Sequence, residues 1–444
     1  MSNPRLSLLQ KTGYASGNLG KSVVWSTLEY FFLFFLTELW GVTPAVAGLV
    51  ILGAFIWDAI SDPLLGFIAD RSASPMGKYG PFLVFGAPLC AASFSLIFVH
   101  PGLGPAGMAW YALATGIAFR TCYTICDVPH NALMARISEN SRDASLLSGL
   151  RFFFSSLGAL AVSISAASLF ASGDAVAQMS QFRIFALVAG VIYVLAMWTA
   201  WWSTRDLDRQ FPNASREFSF LQSVRGIRQN GQLRLLLAIA FCQVVSIPVF
   251  TKSLAYYAKY ELGTEAWISA ALTVMTLTQA LSMAGWTCLG RRWQKRSALM
   301  LAYSGIIAAA LAFAVTSRHG AGMLPAMALA GVAVGGINML LWALLPDAIN
   351  HGEHQTGIRV EALSTSLFLF VLKSGIGLGS LLLGSLLAWS GLEPGQVPDQ
   401  SFNLRLIFMM TCIPAIGALL CMILLSRWRL VHDDIEDHAR RQAA

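Results

Sequence analysis

The sequence predicts an all-α membrane protein with about twelve transmembrane helices arranged as two six-helix bundles. The chain of 444 residues is 56% hydrophobic and only 12% charged, with a mean hydropathy of +0.62. Soluble domains of this length are less apolar. Apolar segments of about 20 residues, long enough to cross a bilayer, recur along the whole chain. The longest polar interruption falls near the middle of the chain and leaves about six such segments on either side.

The individual spans follow from where each apolar segment starts and stops. The first six are expected near residues 13–39, 45–70, 81–100, 107–135, 146–171 and 181–203. The last six are expected near residues 233–260, 265–288, 297–316, 322–350, 362–390 and 405–427. The chain then consists of an N-terminal bundle at 1–203, a cytoplasmic linker at 204–231 and a C-terminal bundle with a short cytoplasmic tail at 232–444.

Lys and Arg concentrate in alternate loops, as in the central linker and in the loop with Arg291, Arg292 and Lys295. The positive-inside rule makes these loops and both termini cytoplasmic. The formal net charge of +7 therefore reflects membrane topology, and we expect no binding to nucleic acid. The expected location is the bacterial cytoplasmic (inner) membrane, with the lipid bilayer as partner and a monomer as the functional state.

Two acids, Asp58 and Asp62, lie within the second apolar span. Residues four apart share one face of a helix, and Ser61 lies beside them. Two ionised carboxylates this close repel each other and are costly to desolvate, so a cation or a proton must neutralise them. The alternative is that one acid pairs with a neighbouring Lys or Arg, although acids at membrane depth are usually functional.

Seven further charges are predicted at membrane depth. With the two acids of the second span, the set contains five cations and four acids: Lys21, Glu29, Asp58, Asp62, Arg120, Asp127, Arg151, Lys252 and Lys373. Each would be costly against lipid, so we expect them to converge on one polar cavity that binds a coupling ion and a small-molecule substrate. For any single member a structural ion pair is the alternative, for example Glu29 with Arg120.

Several motifs resemble those of the glycoside-pentoside-hexuronide:cation symporters, a family within the major facilitator superfamily. The matching segments are YASGNLGKS (14–22), IWDAISDPLLGFIADRS (56–72), GKYGPF (77–82), YTICDVPHNAL (123–133), LRFFFSSLG (150–158) and DAINHGEHQTGIRVEA (347–362). The resemblance covers nearly the whole chain and implies the major facilitator fold. It also implies a secondary active transporter that couples a cation to the uptake of a sugar.

The resemblance implies a cation site for Na+, Li+ or H+ at Asp58, Asp62 and Thr124. Ser61 replaces an asparagine of the family pattern, which keeps an oxygen but loses an amide. This replacement makes proton coupling more plausible and leaves the choice between Na+ and H+ open. Lys373 matches a lysine of the eleventh helix that lies close to this site in the family.

The resemblance also implies substrate-binding residues. Asp127 and Arg151 match positions that bind or order the sugar, and Lys21 and Trp342 match residues of the same cavity. The aromatic residues Tyr30 and Tyr123 are expected to line it, and Asn131 and Lys373 are also assigned to the substrate site.

Two departures from the family pattern bear on the substrate. Ser22 stands where the family's galactoside carriers have an acid, and Asn131 stands where they have a tryptophan. An ordinary galactoside is therefore not the expected substrate. Arg120 and Lys252 are additional cations, which together with Glu29 are assigned to the substrate cavity and suit an anionic sugar.

A set of gating contacts is expected on the cytoplasmic side. By the resemblance, these hold the outward-open state: Asp70, Arg71, Lys78, Glu353 and Arg359. The alternative is that these charges only set the membrane topology.

Other function classes are less well supported by the sequence. No nucleophile–base pair or metal-binding motif with a supporting context indicates an enzyme, and no repeated filter-like segment indicates a channel. No cofactor is expected apart from the coupling Na+ or H+. The main alternative is cation-coupled transport of a lysolipid or another amphipathic organic anion, because relatives in the same superfamily branch move lysophospholipids.

Overall fold

The computed structural model describes residues 7–72, 74–137, 141–171, 174–210, 228–264, 267–317, 320–356, 361–394 and 398–428. Within these residues the fold contains twelve long α-helices and no strand. The first six are α1 Leu8–Phe34, α2 Pro44–Asp70, α3 Gly80–Leu96, α4 Pro105–Ile137, α5 Ser141–Leu169 and α6 Ala175–Gln210. The last six are α7 Gly231–Tyr260, α8 Trp267–Arg292, α9 Lys295–Thr316, α10 Leu324–Thr356, α11 Glu361–Trp389 and α12 Gln400–Leu425.

Each predicted span overlaps one of these helices, so the all-α class is confirmed. The boundary at the central linker differs, because α6 continues to Gln210 and the expected linker at 204–231 begins as helix. Residues 211–227 of that linker lie outside the described residues. Short turns of other helix types also occur, and a π-helical turn at Phe35–Leu39 extends α1.

Ten of the helices in the described part of the chain are long and apolar enough to cross a membrane, by length and composition. The exceptions are α3, which is shorter, and α4, which carries Arg120 and Asp127 in its interior. Proline occurs inside α2, α3, α4, α7, α10 and α12. In transmembrane helices such prolines are tolerated because neighbouring groups satisfy the freed carbonyls. The chain is an integral, multi-pass membrane protein.

The chain divides into two compact units. The first unit contains Met1–Ala214, Thr251–Thr273 and Ser380–Leu406. The second contains Ser215–Phe250, Val274–Gly379 and Ile407–Ala444. The bounds of these units differ from those of the expected bundles, so the division into bundles at 1–203 and 232–444 stays a prediction.

In the first unit, α1 packs along both α5 and α6, and α4 packs against α2 and α3. The approach of α1 to α5 is close at Gly158. A Cβ there would lie 2.6 Å from the Leu19 carbonyl oxygen and 2.8 Å from the Ser22 Cβ. Only glycine allows the two backbones this separation, as is common between membrane helices. The packing fixes how the polar face of α1 meets α4 and α5.

In the second unit, α9 packs along α10. Its core contains buried side chains that include Trp286, Tyr303 and Trp428. The Trp286 indole nitrogen donates to the Val332 carbonyl oxygen at 2.8 Å, which satisfies the polar atom of a buried ring. Lys295 pairs with Asp347 at 2.8 Å within the same unit.

Candidate cation and substrate site

Helices α2 and α4 bring two carboxylates to one threonine. The Thr124 hydroxyl oxygen lies 2.9 Å from Oδ1 of Asp58 and 2.8 Å from Oδ1 of Asp62. Asp58 and Thr124 are fully buried, and Asp62 is partly exposed. The structure therefore brings together the two acids and the threonine that the sequence assigned to a cation site.

The Thr124 hydroxyl lies close to two carboxylates but has only one hydrogen to donate. A threonine hydroxyl has a single hydrogen, so it can donate to only one of the two carboxylates at a time. The other close oxygen pair needs a proton or a cation between its members to be favourable. A site with these oxygens and two acids thus suits a proton or a cation.

The fourth residue of the predicted cation site, Ser61, is also buried. Its hydroxyl donates to the Asp58 main-chain carbonyl at 3.2 Å, one turn back along α2. The hydrogen of Ser61 is thus used within its own helix, while its oxygen lone pairs stay available.

Arg120 of α4 lies on the other side of Asp58. Its Nη1 atom is 3.7 Å from Oδ2 of Asp58, and both side chains are buried, at 8% and 0% exposure. The guanidinium carbon lies 3.8 Å from the centroid of the Phe55 ring and 4.7 Å from that of the Trp25 ring. Cation–π contact with these two rings and attraction to Asp58 together hold the guanidinium in place.

A second polar cluster joins α1, α4 and α5. The Lys21 ammonium donates to Oδ1 of Asp127 at 2.7 Å and to Oδ1 of Asn131 at 3.0 Å. The same Asn131 oxygen accepts from Nη2 of Arg151 at 2.5 Å. Four of the predicted substrate-binding residues therefore meet in one network, with two cations and one acid.

The described contacts of Arg151 are with neutral acceptors. Besides Asn131, they are Oδ1 of Asn18 at 3.4 Å and the Met134 sulfur at 3.1 Å. The Ser22 hydroxyl donates to the Ser155 carbonyl at 2.6 Å and so faces the backbone of α5. The network around Arg151 therefore carries more positive than negative charge.

Lys252 and Glu29 form an ion pair within the first unit. Their Nζ and Oε1 atoms are 3.2 Å apart, and Lys252 also donates to the Ser380 hydroxyl at 2.7 Å. The alternative pairing of Glu29 with Arg120 is thus not the one observed, since Arg120 pairs with Asp58. Arg120 and Lys252, the two cations that favoured an anionic substrate, thus each have an acid partner. The case for an anionic substrate therefore depends on Arg151.

The predicted aromatic residues lie in different surroundings. Tyr123 is buried, with its ring centroid 6.0 Å from that of Trp25 and 5.7 Å from that of Phe119. Tyr30 is partly exposed and makes an edge contact with Phe31. In the second unit, Trp342 is 38% exposed and packs edge-on against Phe368, and Lys373 is partly buried in α11. The roles of these residues stay predictions.

The predicted gating residues are described only in part. The Arg71 guanidinium stacks on the Phe67 ring at 3.3 Å, and Lys78 lies 5.3 Å from the Tyr79 ring centroid. Glu353 is partly exposed in α10. The Asp70 side chain and Arg359 lie outside the described residues, so the gating role stays a prediction.

One ionic cluster was missed by the sequence reasoning. Lys259 donates to Glu38, and the Tyr260 hydroxyl donates to Oε2 of the same glutamate at 2.5 Å. Glu38 and Lys259 stand at the ends of the first and seventh spans, so they were not counted among charges at membrane depth. The Asn18 contact was also missed, although its spacing of three residues from Lys21 indicates a shared helix face.

A comparison with protein-family models decides the classification. The model described as MFS/sugar transport protein matches residues 13–431. The chain belongs to this family. The match includes residues of both compact units, and all the clusters described above fall within its length.

Three relatives are similar to the chain over most of its length. The inner membrane symporter YicJ of Escherichia coli is 26% identical over 437 residues, covering 96% of this chain and 93% of its own. The glucuronide carrier protein homolog of Escherichia coli is 24% identical over 95% of this chain and 93% of its own. The sodium-dependent lysophosphatidylcholine symporter 1 of Xenopus tropicalis is 24% identical over 95% of this chain and 87% of its own.

Solved structures agree on the fold. The crystal structure of the nucleoside transporter NupG superimposes with a TM-score of 0.65. The match covers 95% of this chain and 100% of NupG at 13% identity. The major facilitator fold expected from the sequence is therefore confirmed.

Proposed function

We propose that this protein is a cation-coupled symporter that carries a sugar, and more specifically a sugar acid, across the bacterial cytoplasmic membrane. The observation that carries this proposal is that buried Asp58 and partly exposed Asp62 share the Thr124 hydroxyl, in a chain of a sugar-transport family. Acids at membrane depth are rare unless they serve ion or proton movement. The coupling cation and the substrate would be its only small-molecule partners, without another cofactor or an enzymatic activity.

Coupling follows from the charges on α4. Helix α4 links the cation site to the polar network, because Thr124 of the cation site and Asp127 of the network are three residues apart on one of its faces. Asp58 of α2 joins this link through its contact with Thr124. A cation that neutralises the acids removes their repulsion and orders α4 against α2. The binding of cation and substrate would then strengthen each other by the same factor, as linkage requires.

The polar network favours a sugar acid. Lys21 and Arg151 bring two positive charges to Asn131, and Asp127 supplies one negative charge. A carboxylate on the substrate would balance this excess and accept a bidentate hydrogen bond from the guanidinium. Asp127 would accept hydrogen bonds from sugar hydroxyls, and the Asn131 amide would donate to them.

A lysolipid is the second candidate substrate. The lysophosphatidylcholine symporter of Xenopus tropicalis is 24% identical to this chain, as is the glucuronide carrier protein homolog. The phosphate of a lysolipid would fit Arg151 as a carboxylate does.

We also propose that both termini are cytoplasmic, because the basic loops lie on that side by the positive-inside rule. We propose a monomer as the functional state, because residues of one chain form the site.

The test is uptake into proteoliposomes under an imposed gradient of H+, Na+ or Li+. The substrates are neutral glycosides, the corresponding glycosides of uronic acids, and lysophosphatidylcholine. We expect gradient-driven uptake of the uronic acid glycosides. Asp62→Asn should abolish driven uptake, whereas Asp399→Asn, which changes an exposed acid before α12, should leave it unchanged.

The outcomes separate the candidates. Driven uptake of lysophosphatidylcholine alone would replace the sugar by a lipid, while equal uptake of neutral and acidic glycosides would remove the preference for acids. Driven uptake that survives in Asp62→Asn would overturn the assignment of the cation site.

A further inference from the structure

Arg120 places a fixed positive charge inside the candidate cation site. Its Nη1 atom lies 3.7 Å from Oδ2 of Asp58, the acid whose other oxygen is 2.9 Å from Thr124. The residues that the resemblance assigns to the cation site include no Arg. The question is what a tethered guanidinium does to a site that must bind a mobile cation.

We propose that Arg120 determines the coupling-ion specificity of this transporter, because its tethered charge excludes Na+ and Li+ from the site formed by Asp58, Asp62 and Thr124. This inference rests on the proposed function, since it concerns the ion that the symporter couples. It assigns to Arg120 a role in ion selection in place of the substrate contact expected from the sequence.

The first reason is electrostatic. A metal ion bound between the two acids and Thr124 would lie about 6 Å from the guanidinium, with protein atoms between them. At an effective dielectric constant of about 20, two unit charges at that separation repel enough to weaken binding on the order of a hundredfold. A site without Arg120 would not carry this penalty, so the residue at position 120 changes metal-ion affinity strongly. A proton on either acid meets a similar repulsion, so the choice between a metal ion and a proton rests on the number of oxygens that each needs.

The second reason is the number of oxygens. A hard metal cation needs several oxygen ligands at once, and carboxylates are the best of them. Oδ1 of Asp58 accepts from Thr124, and Oδ2 faces the Arg120 guanidinium at 3.7 Å, an ion pair longer than a hydrogen bond. A metal ion would have to compete with Arg120 for Asp58, whereas a proton needs one oxygen only.

The third reason is that Arg120 is held firmly. Its guanidinium lies over Phe55 and near Trp25, and its side chain is only 8% exposed. Moving it away from Asp58 would leave a buried charge without its partner, which costs far more than the loss of a surface ion pair. The guanidinium is therefore a permanent part of the site in this conformation.

The experiment imposes a Na+, Li+ or K+ gradient across the proteoliposome membrane, with the same pH on both sides. A proton gradient is imposed in a separate assay. The substrate is the glycoside that the wild type takes up under a proton gradient. In the wild type we expect Na+ and Li+ gradients to give no uptake above that with K+, and a separately imposed proton gradient to drive uptake. In Arg120→Gln we expect a Na+ or Li+ gradient in the millimolar range to stimulate uptake about tenfold or more over K+, because the electrostatic penalty is removed. Arg120→Lys, which keeps the charge, should stay insensitive to Na+ and Li+.

A second measurement does not depend on transport. Thermal unfolding of the purified protein in detergent is followed with increasing NaCl or LiCl at constant ionic strength set by KCl. An ion that binds the folded protein raises the unfolding temperature. We expect no shift for the wild type and for Arg120→Lys, and a rise of several degrees for Arg120→Gln.

The two measurements keep this inference distinct from the proposed function. Uptake driven by Na+ or Li+ in the wild type, or a wild-type Na+ shift at millimolar concentration, overturns the role of Arg120 and leaves the symporter standing. Absence of driven uptake for every ion and glycoside counts against the proposed function, and the unfolding measurement still decides the role of Arg120. If Arg120→Gln does not fold, Arg120→Met takes its place in both measurements, and a wild type that responds to Na+ or Li+ still overturns the role of Arg120.

Discussion

The Lys252 ammonium lies 3.2 Å from the Glu29 carboxylate, and both side chains are mostly buried, at 6% and 19% exposure. Among the other charges that the sequence placed at membrane depth, Lys21 pairs with Asp127 and Arg120 with Asp58 in the same compact unit. Six of those nine charges thus form three separate ion pairs. Each pair can be tested by removing one or both of its members.

The Lys252–Glu29 pair should show strong coupling in a double-mutant cycle. Lys252→Met or Glu29→Gln alone leaves a mostly buried charge without its ionic partner, and we expect a loss of about 3 kcal/mol in the free energy of unfolding. The double variant should be more stable than the sum of the two losses predicts. Thermal or denaturant unfolding in detergent measures all four states. Simple additivity would mean that the two residues do not interact in the folded protein.

Thr124→Val should weaken the binding of the coupling cation. The substitution keeps the shape of the side chain but removes the hydroxyl shared by Asp58 and Asp62. A hydrogen bond to a charged group is worth about 1.5–3 kcal/mol, so the half-saturating cation concentration should rise roughly 10- to 100-fold. Thr115→Val is the matched control, because that hydroxyl donates only to carbonyls of its own helix. An equal effect of both substitutions would contradict the assignment.

Asn131→Asp should reverse the preference for substrate charge. It places a carboxylate where one amide oxygen now accepts from Lys21 and Arg151. The internal carboxylate would compete with that of a sugar acid, so uptake of the acidic glycoside should fall about tenfold or more relative to the neutral one. Competition between the two glycosides in one uptake assay measures the ratio. Asn403→Asp, at a site whose amide donates to the Tyr260 carbonyl, should leave it unchanged.

Gly158→Ala should destabilise the packing of α1 against α5. The added methyl group would lie 2.6 Å from the Leu19 carbonyl oxygen, so the two helices must separate, at a cost of roughly 1–3 kcal/mol. Gly149→Ala in the same helix has no heavy atom within 4 Å of the new methyl group and should be neutral or slightly stabilising. The difference between the two unfolding temperatures tests the close approach. Equal unfolding temperatures would show that the helices tolerate the extra volume.

The helices and several site residues could be predicted because the information is local. Apolar segments long enough for a bilayer indicated twelve spans, and the spacing of four residues placed Asp58 and Asp62 on one face of α2. The meeting of these acids with Thr124 followed from the resemblance of two motifs, and the structure brings the three residues together. Lys21, Asp127 and Arg151 were assigned to one cavity on the same basis, whereas the role of Asn131 in joining Lys21 to Arg151 was seen only in the structure.

The pairing of the charges could not be predicted from spacing. Arg120 was considered as a partner for Glu29 or for a substrate, yet it pairs with Asp58, while Glu29 pairs with Lys252. The pattern along one helix gives the face of each side chain but not the rotation and axial offset of the neighbouring helix. Those are set by packing contacts such as the one at Gly158.

The sequence by itself determined that this chain spans a membrane, that its fold is all-α, and that Asp58 and Asp62 share one face of a helix. These properties depend on hydrophobicity and periodicity, which each segment carries alone. The tertiary structure decided which acid each cation neutralises, that Ser22 turns toward the Ser155 carbonyl, and that Arg120 lies beside Asp58. Electrostatic interactions between buried groups change steeply over a few ångströms, so only the packed arrangement of helices could decide them.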